Sequence, residues 1–415
     1  MADVRELGKR AKAAKPALGR AGAAQRGRAL LEIAGVLERE GELILAANRR
    51  DVAAAEKAGI SPALIDRLRL TEQRVKDMAD SVRQVAAMPD PVGTVLGGSC
   101  LPNGLRLEKV RVPLGVVGMI YEARPNVTVD AAALCVKSGN VCLLRGGKEA
   151  LQTNLALAKG MREALERAGL PQDGILFVDD TSRESAAELM KLNEYLDVLV
   201  PRGGAGLIRR VVETATVPVI ETGTGNCHVY VDAAADLGKA LDIAENAKTS
   251  RPSVCNAAET VLVHEAVARE FLPRLKERLG RHGVELRGCP RTREILGDWV
   301  RPAGEEDFAT EFLDYILALR VVGSREEAMA HIARYGTGHS ECIVTEDYSA
   351  GEAFLQEVDA AVVYVNASTR FTDGGEFGLG TELGISTQKL HARGPMGLEA
   401  LTSYKYLVRG NGQIR

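Results

Sequence analysis

The sequence predicts an α/β protein of more than one domain, built around a doubly wound parallel sheet. Its 415 residues exceed the roughly 250–300 at which a single hydrophobic core stops growing. Between Gly115 and Glu221, short β-branched runs alternate with alanine-rich helical segments, which is typical of a parallel sheet covered by helices on both faces. A content of 46% apolar and 26% charged residues is that of a globular protein and excludes a disordered chain.

The first part of the chain is predicted to be helical. Strong helix formers carry apolar residues at three- and four-residue intervals from Val4 to about Ala58 and again from Thr71 to Ala87. A turn rich in proline and glycine follows, from Pro89 to Gly98. The strands predicted for the first sheet are Val116–Tyr121, Val141–Leu144, Ile175–Val178, Leu196–Val200 and Val217–Ile220.

A second, less regular α/β region begins at Asp232. We predict one helix that ends at Thr249 and another that ends at Leu279. The predicted strands of this region are Thr260–Val263, Ile316–Val322, Glu341–Thr345 and Ala360–Val365.

Two segments outside these regions have the character of exposed strands. Charged and apolar residues alternate between Leu101 and Val112, and the stretch Tyr404–Ile414 is similar. The two segments could pair and offer an edge to another subunit, although two solvated loops explain the pattern equally well.

Charge and cysteine content narrow the possible partners and compartment. With 53 Lys and Arg against 56 Asp and Glu, the chain has no basic surplus for nucleic acid, so a small molecule is the expected partner. The seven cysteines are scattered and odd in number, which favours a reducing compartment, and we expect a cytoplasmic protein. The longest apolar stretch, Val112–Tyr121, is far shorter than the ~20 residues of a membrane helix. The His and Cys spacing predicts no metal site.

Polar, glycine-containing loops follow the predicted strands of the first sheet. Backbone N–H groups in such loops can face an anion at a helix N-terminus, which suits a phosphate-bearing cofactor. Because neither a P-loop nor a G-x-G-x-x-G motif is present, ordinary tight turns explain any single loop about as well. The loops are Glu122–Asn126, Arg145–Lys148, Pro201–Gly204 and Glu221–Asn226.

One cysteine lies in a setting that favours chemistry. Cys255 is in the polar segment Arg251–Ala257, where a neighbouring cation favours the thiolate, a strong nucleophile. Cys135 and Cys142 lie among alanine, valine and leucine and are interpreted as packing residues. Cys255 is therefore the candidate nucleophile.

These residues carry a resemblance to a known family. Cys255, Asn126, Glu221, the Gly203–Gly204 turn and Glu311 occur in the order of the motifs of the aldehyde dehydrogenase superfamily. Over essentially its whole length the chain resembles the gamma-glutamyl phosphate reductase family of that superfamily. The stretches most similar to that family's signature are Val112–Gly147, Pro218–His264, Tyr335–Glu341 and Tyr364–Thr402.

The resemblance implies a fold and a reaction. The fold has an NADPH-binding domain (1–98 and 112–227), an α/β catalytic domain (228–398) and a small β oligomerisation ribbon (99–111 and 399–415). The reaction is the NADPH-dependent reduction of L-glutamate 5-phosphate to L-glutamate 5-semialdehyde and phosphate in proline biosynthesis. The semialdehyde then cyclises to 1-pyrroline-5-carboxylate.

The resemblance also implies roles around the reacting carbon. Cys255 forms a thioester, and Asn126 with the Cys255 backbone N–H stabilises the oxyanion. The simpler interpretation of Asn126, a helix N-cap after Pro125, holds on sequence alone and is compatible with that role. The role of Glu221 stays open, since it is catalytic only if a water must be activated.

Cofactor and substrate residues follow in the same way. Arg145 and Lys148 suit the 2′-phosphate of NADPH, with the choice between them open. Gly203 and Gly204 approach the cofactor, and Glu311 matches the glutamate that holds the nicotinamide-side ribose. The predicted substrate residues are Arg124, Arg251, Ser368 and Arg370.

Among the substrate residues, Arg370 is favoured for the α-carboxylate, because a guanidinium binds a carboxylate with two hydrogen bonds. A structural pairing of Arg370 with Asp373 or Glu376 is the alternative. Arg124 and Arg251 are candidates for the departing phosphate.

The sequence allows two alternative functions and implies two kinds of partner. A hydrolytic aldehyde-oxidising enzyme that uses NAD(P) is the rival within the superfamily. An inactive nucleotide-binding scaffold is disfavoured because Cys255 and Asn126 are both present. The resemblance implies a homo-oligomer, a dimer or dimer of dimers. Because the acyl phosphate is labile, contact with glutamate 5-kinase is a further hypothesis.

Overall fold

The computed structural model describes residues 3–415, and of residues 62 and 63 it describes only the backbone. No helix within that described range is both long and apolar enough to cross a lipid bilayer. The predicted helical start of the chain is confirmed and consists of several helices. In chain order the α-helices are α1 Val4–Arg20, α2 Ala23–Arg39, α3 Gly41–Lys57, α4 Pro62–Leu68, α5 Glu72–Ala87, α6 Pro125–Lys137, α7 Leu151–Arg167, α8 Arg183–Leu189, α9 Ala205–Thr214, α10 Leu237–Thr249, α11 Glu265–Gly280, α12 Pro290–Leu296, α13 Glu305–Phe308, α14 Arg325–Tyr335 and α15 Tyr348–Glu357.

The strands are short, as the breaks in the apolar runs predict. In chain order they are β1 Val95–Cys100, β2 Arg106–Pro113, β3 Val116–Tyr121, β4 Val141–Arg145, β5 Ile175–Phe177, β6 Val198–Arg202, β7 Cys227–Val231, β8 Ala258–His264, β9 Glu285–Gly288, β10 Arg301–Pro302, β11 Ile316–Val322, β12 Ser340–Val344, β13 Val362–Val365, β14 Ile385–Ser386, β15 Gly394–Pro395 and β16 Thr402–Arg409.

The chain divides into two compact units. The first comprises the chain up to Thr222 together with Gly378–Gly384 and Met396–Arg415. The second comprises Gly223–Phe377 and Ile385–Pro395. This division describes packing, and the assignment of residues 1–98 and 112–227 to NADPH binding stays a prediction.

The first unit contains a parallel four-stranded sheet in the order β5-β4-β3-β6. All six residues of β3 are buried, as expected for a sheet covered on both faces. The carboxyl ends of β3, β4 and β6 carry the loops after Tyr121, Arg145 and Arg202. These loops therefore lie at one edge of the sheet, where ligands bind in such folds.

The prediction of a fifth strand at Val217–Ile220 is wrong. Only Val219 pairs with the sheet, in a single bridge to Leu199 of β6. The preceding Val217 N–H donates instead to the Met190 carbonyl, and Pro218 has no N–H to donate to a ladder. Val217 and Ile220 are buried, whereas Pro218 is exposed, and the backbone does not continue the hydrogen-bond pattern beyond the single bridge.

The predicted pairing of the two exposed segments is confirmed. β16 runs antiparallel to β2, with Tyr404 opposite Arg111, and β1 completes a three-stranded sheet in the order β1-β2-β16. β1 was not predicted, because its Gly97–Gly98 pair indicates a turn. In the structure the pair lies within the strand, next to an irregularity in the ladder between Val95 and Gly97.

The second unit contains a parallel seven-stranded sheet in the order β10-β9-β11-β8-β7-β12-β13. The four strands predicted here are confirmed within a few residues, whereas β7, β9 and the two-residue strand β10 were missed. β7 was not predicted because its first residues, Cys227 and His228, do not belong to a β-branched apolar run. His228 is fully buried there because its Nδ1 lies 2.9 Å from Oε2 of Glu341 on the neighbouring β12, so a polar pair occupies a core position.

Candidate active site

The predicted nucleophile, Cys255, lies half-buried in the loop between α10 and β8. The backbone of Gly225 packs so closely against it that a Cβ atom at position 225 would lie 1.5 Å from the Cys255 carbonyl oxygen. The Cys227 thiol donates to the same carbonyl at 3.2 Å. The backbone of Cys255 is thus fixed from two sides, and no residue larger than glycine fits at position 225.

A buried ion pair connects the helix before this loop, α10, with the strand after it, β8. Lys248 Nζ lies 2.5 Å from Glu259 Oε2, and both side chains are fully buried. Burial raises the pKa of Glu259 to about 7 and lowers the pKa of Lys248. Glu259 Oε1 also accepts a hydrogen bond from the Leu313 backbone at 3.2 Å. The pair joins the two ends of the nucleophile loop, and no motif in the sequence indicated it.

Glu311 belongs to the same unit and touches the glycine that packs on Cys255. Its Oε1 accepts a hydrogen bond from the Gly225 backbone N–H at 2.8 Å, and burial raises its pKa. Without the family resemblance, the sequence around Glu311 predicts only a solvated helix residue. It follows α13 in a loop and is half-buried, so it is placed to bind a polar group beside the nucleophile loop.

Arg370 is held by neutral partners. Its Nε donates to Ser250 Oγ at 3.0 Å, and its Nη1 donates to the side-chain oxygen of Asn256. Burial and the nearby Arg251 lower its pKa. Within the described residues no ion pair joins Arg370 to Asp373 or Glu376, so the structural alternative to substrate binding is not what the chain adopts.

The other two substrate candidates of this unit differ in exposure. Ser368 is buried, and its hydroxyl accepts a hydrogen bond from the Arg370 N–H at 3.3 Å. Arg251 is exposed at the start of the nucleophile loop. Ser368 therefore shapes the turn that presents Arg370, whereas Arg251 is accessible to a ligand.

In the first unit, Asn126 is the second residue of α6. The N-cap is Arg124, so the interpretation of Asn126 as a helix N-cap is wrong. Asn126 is exposed, and its Nδ2 donates to Asp130 at 3.2 Å, one turn further along the helix. Burial raises the pKa of Asp130 to about 6, and Ser81 also donates to this carboxyl group at 3.4 Å. Asp130 was not predicted, although the four-residue spacing from Asn126 is the signal that indicates it.

The glycines after β6 allow close backbone approach. A Cβ at Gly203 would lie 2.7 Å from the carboxyl carbon of Glu122, and the Gly204 N–H donates to that carboxylate at 3.1 Å. α9 begins directly afterwards, with its first residues exposed. An anion is therefore already bound by the backbone at this helix N-terminus, and the anion is a side chain of the chain itself.

The two cations after β4 differ in what they contact. Arg145 is half-buried, and its Nη2 donates to the carbonyls of Thr181 and Ser182 at 2.7 and 2.8 Å. Burial lowers its pKa. Lys148 is exposed, and within residues 3–415 it has neither an ion pair nor a hydrogen bond from its side chain. The structure thus favours Lys148 as the cation available to a phosphate.

The remaining predicted residues, Arg124 and Glu221, are both half-buried. Arg124 is the N-cap of α6, and Glu221 lies in the connection between α9 and β7. They belong to the first unit together with Asn126, Arg145 and Lys148. Cys255, Arg251, Glu311, Ser368 and Arg370 belong to the second unit.

The parallel sheet and the loop-borne cysteine are those expected of an aldehyde-dehydrogenase-like enzyme, and comparison with known proteins agrees. The model of the aldehyde dehydrogenase family matches residues 1–287, and the chain belongs to that family. It is 60% identical to the gamma-glutamyl phosphate reductase of Carboxydothermus hydrogenoformans over the whole of both chains. It is 59% identical to that of Moorella thermoacetica, covering all of this chain and 99% of the relative. Within the family it therefore belongs with the gamma-glutamyl phosphate reductases.

A solved structure supports the same assignment. The crystal structure of gamma-glutamyl phosphate reductase from Thermotoga maritima matches with a TM-score of 0.98 and 50% identity, and the match covers all of both chains. The predicted fold class and the predicted family resemblance are confirmed by these matches.

Proposed function

We propose that the chain catalyses the NADPH-dependent reduction of L-glutamate 5-phosphate to L-glutamate 5-semialdehyde and phosphate, a step of proline biosynthesis. The semialdehyde then cyclises to 1-pyrroline-5-carboxylate. The observation that carries this proposal is the full-length 60% identity to a gamma-glutamyl phosphate reductase. A half-buried cysteine on a loop with a fixed backbone supports it.

Cys255 carries the acyl group. Its thiolate attacks the carbonyl carbon of the acyl phosphate, the bond from that carbon to the phosphate oxygen breaks, and phosphate leaves with the electron pair. A thioester remains on the sulfur. Because phosphate is a good leaving group, this step needs no water and no activated base beyond the thiolate. Glu221 therefore has no required role in the forward reaction.

The oxyanion that forms at each addition to this carbonyl needs preorganised donors. We assign that role to Nδ2 of Asn126 and to the backbone N–H of Cys255. Nδ2 carries two hydrogens, and the bond to Asp130 uses one of them. After reduction the tetrahedral adduct on Cys255 collapses to the aldehyde, and the sulfur leaves as a thiolate.

The residues present fit NADPH, which supplies the hydride when bound. A Cβ atom at position 203 would clash with the Glu122 carboxylate, so only glycine fits there. We place the dinucleotide against the backbone of this loop. Lys148 offers the exposed cation for the 2′-phosphate, and Arg145 shapes the loop through its backbone contacts. Glu311 is the candidate for the nicotinamide-side ribose.

Arg370 is assigned to the α-carboxylate of the substrate. Its two observed bonds use two of the five guanidinium N–H groups, so the remaining groups can bind a carboxylate. Arg124 and Arg251 are assigned to the phosphate group. Ser368 supports the same binding by shaping the turn before Arg370.

The experiment that tests the function is an NADPH-consumption assay in which glutamate 5-kinase generates the labile acyl phosphate in place. We expect NADPH oxidation only when kinase, ATP and glutamate are all present, with a product aldehyde formed in an amount equal to the NADPH oxidised. Oxidation of free aldehydes to acids without phosphate would instead support the hydrolytic enzyme.

We further propose that the three-stranded sheet β1-β2-β16 is an oligomerisation surface for a homodimer or a dimer of dimers. Val95, Tyr404, Tyr406 and Val408 are all at least half exposed on it, and β1 and β16 are edge strands. Removal of residues 403–415 should lower the mass measured by light scattering. An unchanged mass would contradict this assignment.

A cytoplasmic location and contact with the kinase complete the proposal. The scattered, odd-numbered cysteines of the sequence support the cytoplasmic location, because they favour a reducing compartment. Direct transfer of the labile intermediate would favour a complex with glutamate 5-kinase, and a channelling assay in which the intermediate equilibrates freely with solvent would contradict it.

A further inference from the structure

The residue that follows the nucleophile, Asn256, is densely hydrogen-bonded. Asn256 is 4% exposed and forms four hydrogen bonds to the segment Thr369–Thr372. Its Nδ2 donates to the carbonyls of Arg370 and Thr372 at 3.3 and 2.9 Å. Its own carbonyl accepts from Thr369 Oγ1 at 2.7 Å. Its side-chain oxygen accepts from the Arg370 guanidinium.

These contacts join two pieces of chain that are far apart in sequence. Asn256 is covalently next to Cys255, and its partners lie 113 to 116 residues away. The partner segment is itself anchored, because the Thr372 hydroxyl lies 2.7 Å from both Ser340 Oγ and the Tyr364 hydroxyl. One amide side chain thus fixes both the nucleophile loop and the guanidinium assigned to the substrate.

We propose that Asn256 is a positioning residue that couples recognition of the substrate's α-carboxylate to the placement of the Cys255 sulfur. Its acceptor oxygen aligns Arg370, and its donor nitrogen fixes the loop that carries the thiolate. A buried amide does both because it has one acceptor and two donors, and all three are used here. This proposal rests on the proposed function, since it takes Arg370 as the substrate-binding group.

Two substitutions separate the two halves of this role. Asn256→Asp keeps an acceptor for Arg370 but loses the donors to the carbonyls of Arg370 and Thr372. Asn256→Ala loses both. We expect Asn256→Ala to raise KM for glutamyl phosphate about tenfold or more and also to lower kcat. We expect Asn256→Asp to lower kcat while KM for glutamyl phosphate stays near the wild-type value.

The controls keep the result interpretable. Asn193→Ala removes an exposed asparagine whose side-chain oxygen accepts a hydrogen bond from Thr216 at 3.2 Å, and it should leave both constants unchanged. KM for NADPH should not change in any variant. Circular dichroism melts identify a variant that fails to fold, and if Asn256→Ala does so, the folded Asn256→Asp protein carries the test through its kcat-against-KM split.

The outcomes distinguish this inference from the proposed function. A wild-type enzyme that does not consume NADPH with glutamyl phosphate would overturn the function itself. An active wild type together with Asn256 variants of unchanged kcat and KM would overturn only the coupling. If Asn256→Ala and Asn256→Asp changed KM and kcat in the same way, the coupling would also be overturned. Asn256→Asp keeps the acceptor for Arg370, so the proposal requires that its KM stay near the wild-type value.

Discussion

The nucleophile loop and the loops that follow the first parallel sheet are both polar, yet they are built differently. Asn256 in the nucleophile loop is buried and forms four hydrogen bonds. Lys148, after β4, is exposed and has no ion pair within the described residues. The nucleophile loop is also bracketed by the buried Lys248–Glu259 pair.

The difference follows from what each loop must do. A nucleophile must lie within a fraction of an ångström of its attack position, so its neighbours use their hydrogen-bonding capacity on the protein. A cofactor enters and leaves in each cycle, so the groups that bind it must keep donors available in its absence. Substitutions in the two loops should therefore affect kcat and cofactor binding separately.

The largest effect is expected at Cys255 in the nucleophile loop. Cys255→Ser should abolish turnover without changing the fold or NADPH binding, because an alkoxide is far rarer than a thiolate at neutral pH. Steady-state assays and fluorescence titration with NADPH measure the two properties. Retention of about a tenth of the wild-type activity would contradict a covalent mechanism.

The next largest effect is expected at the oxyanion. Asn126→Ala should lower kcat by roughly 10²–10³, the usual cost of one oxyanion donor, with a smaller change in KM. Asp80→Ala, on a neighbouring helix, is a control that alters a carboxylate paired with Arg83. A rise in KM with unchanged kcat would mean that Asn126 binds the substrate instead.

Arg370→Lys should act on substrate binding. The ammonium group cannot reproduce the two-pronged contact with a carboxylate, so KM for glutamyl phosphate should rise by about tenfold or more, with KM for NADPH unchanged. A substrate-analogue complex in which Arg370 lies far from the α-carboxylate would refute the assignment.

The smallest effect is expected in the loop after β4, where Lys148 is exposed. Lys148→Ala should raise KM for NADPH by several-fold, up to about tenfold, while KM for NADH stays the same, because only NADPH carries the 2′-phosphate. Arg145→Ala serves as the comparison, and we expect it to lower thermal stability through its lost backbone contacts. If Lys148→Ala raised KM for NADPH and KM for NADH equally, Lys148 would not be the residue that binds the 2′-phosphate.

The helices at the start of the chain and the strands β3, β4 and β11 are predictable because their apolar spacing reflects burial directly. Cys255 and Asn126 are also identifiable, since their motifs are local. Val217–Ile220 and β1 are not, because Pro218 and Gly97–Gly98 act through backbone hydrogen bonding and local conformation that an apolar pattern does not report.

By itself the sequence determined the fold class, the family and the candidate nucleophile, since each depends on local patterns and on the order of motifs along the chain. Only the tertiary structure decided what surrounds them: Asn256 against Thr369–Thr372, Lys248 against Glu259, and Arg145 against the carbonyls after β5. Such contacts satisfy buried polar groups across large sequence separations. A single sequence contains no periodicity or spacing from which those partners can be identified.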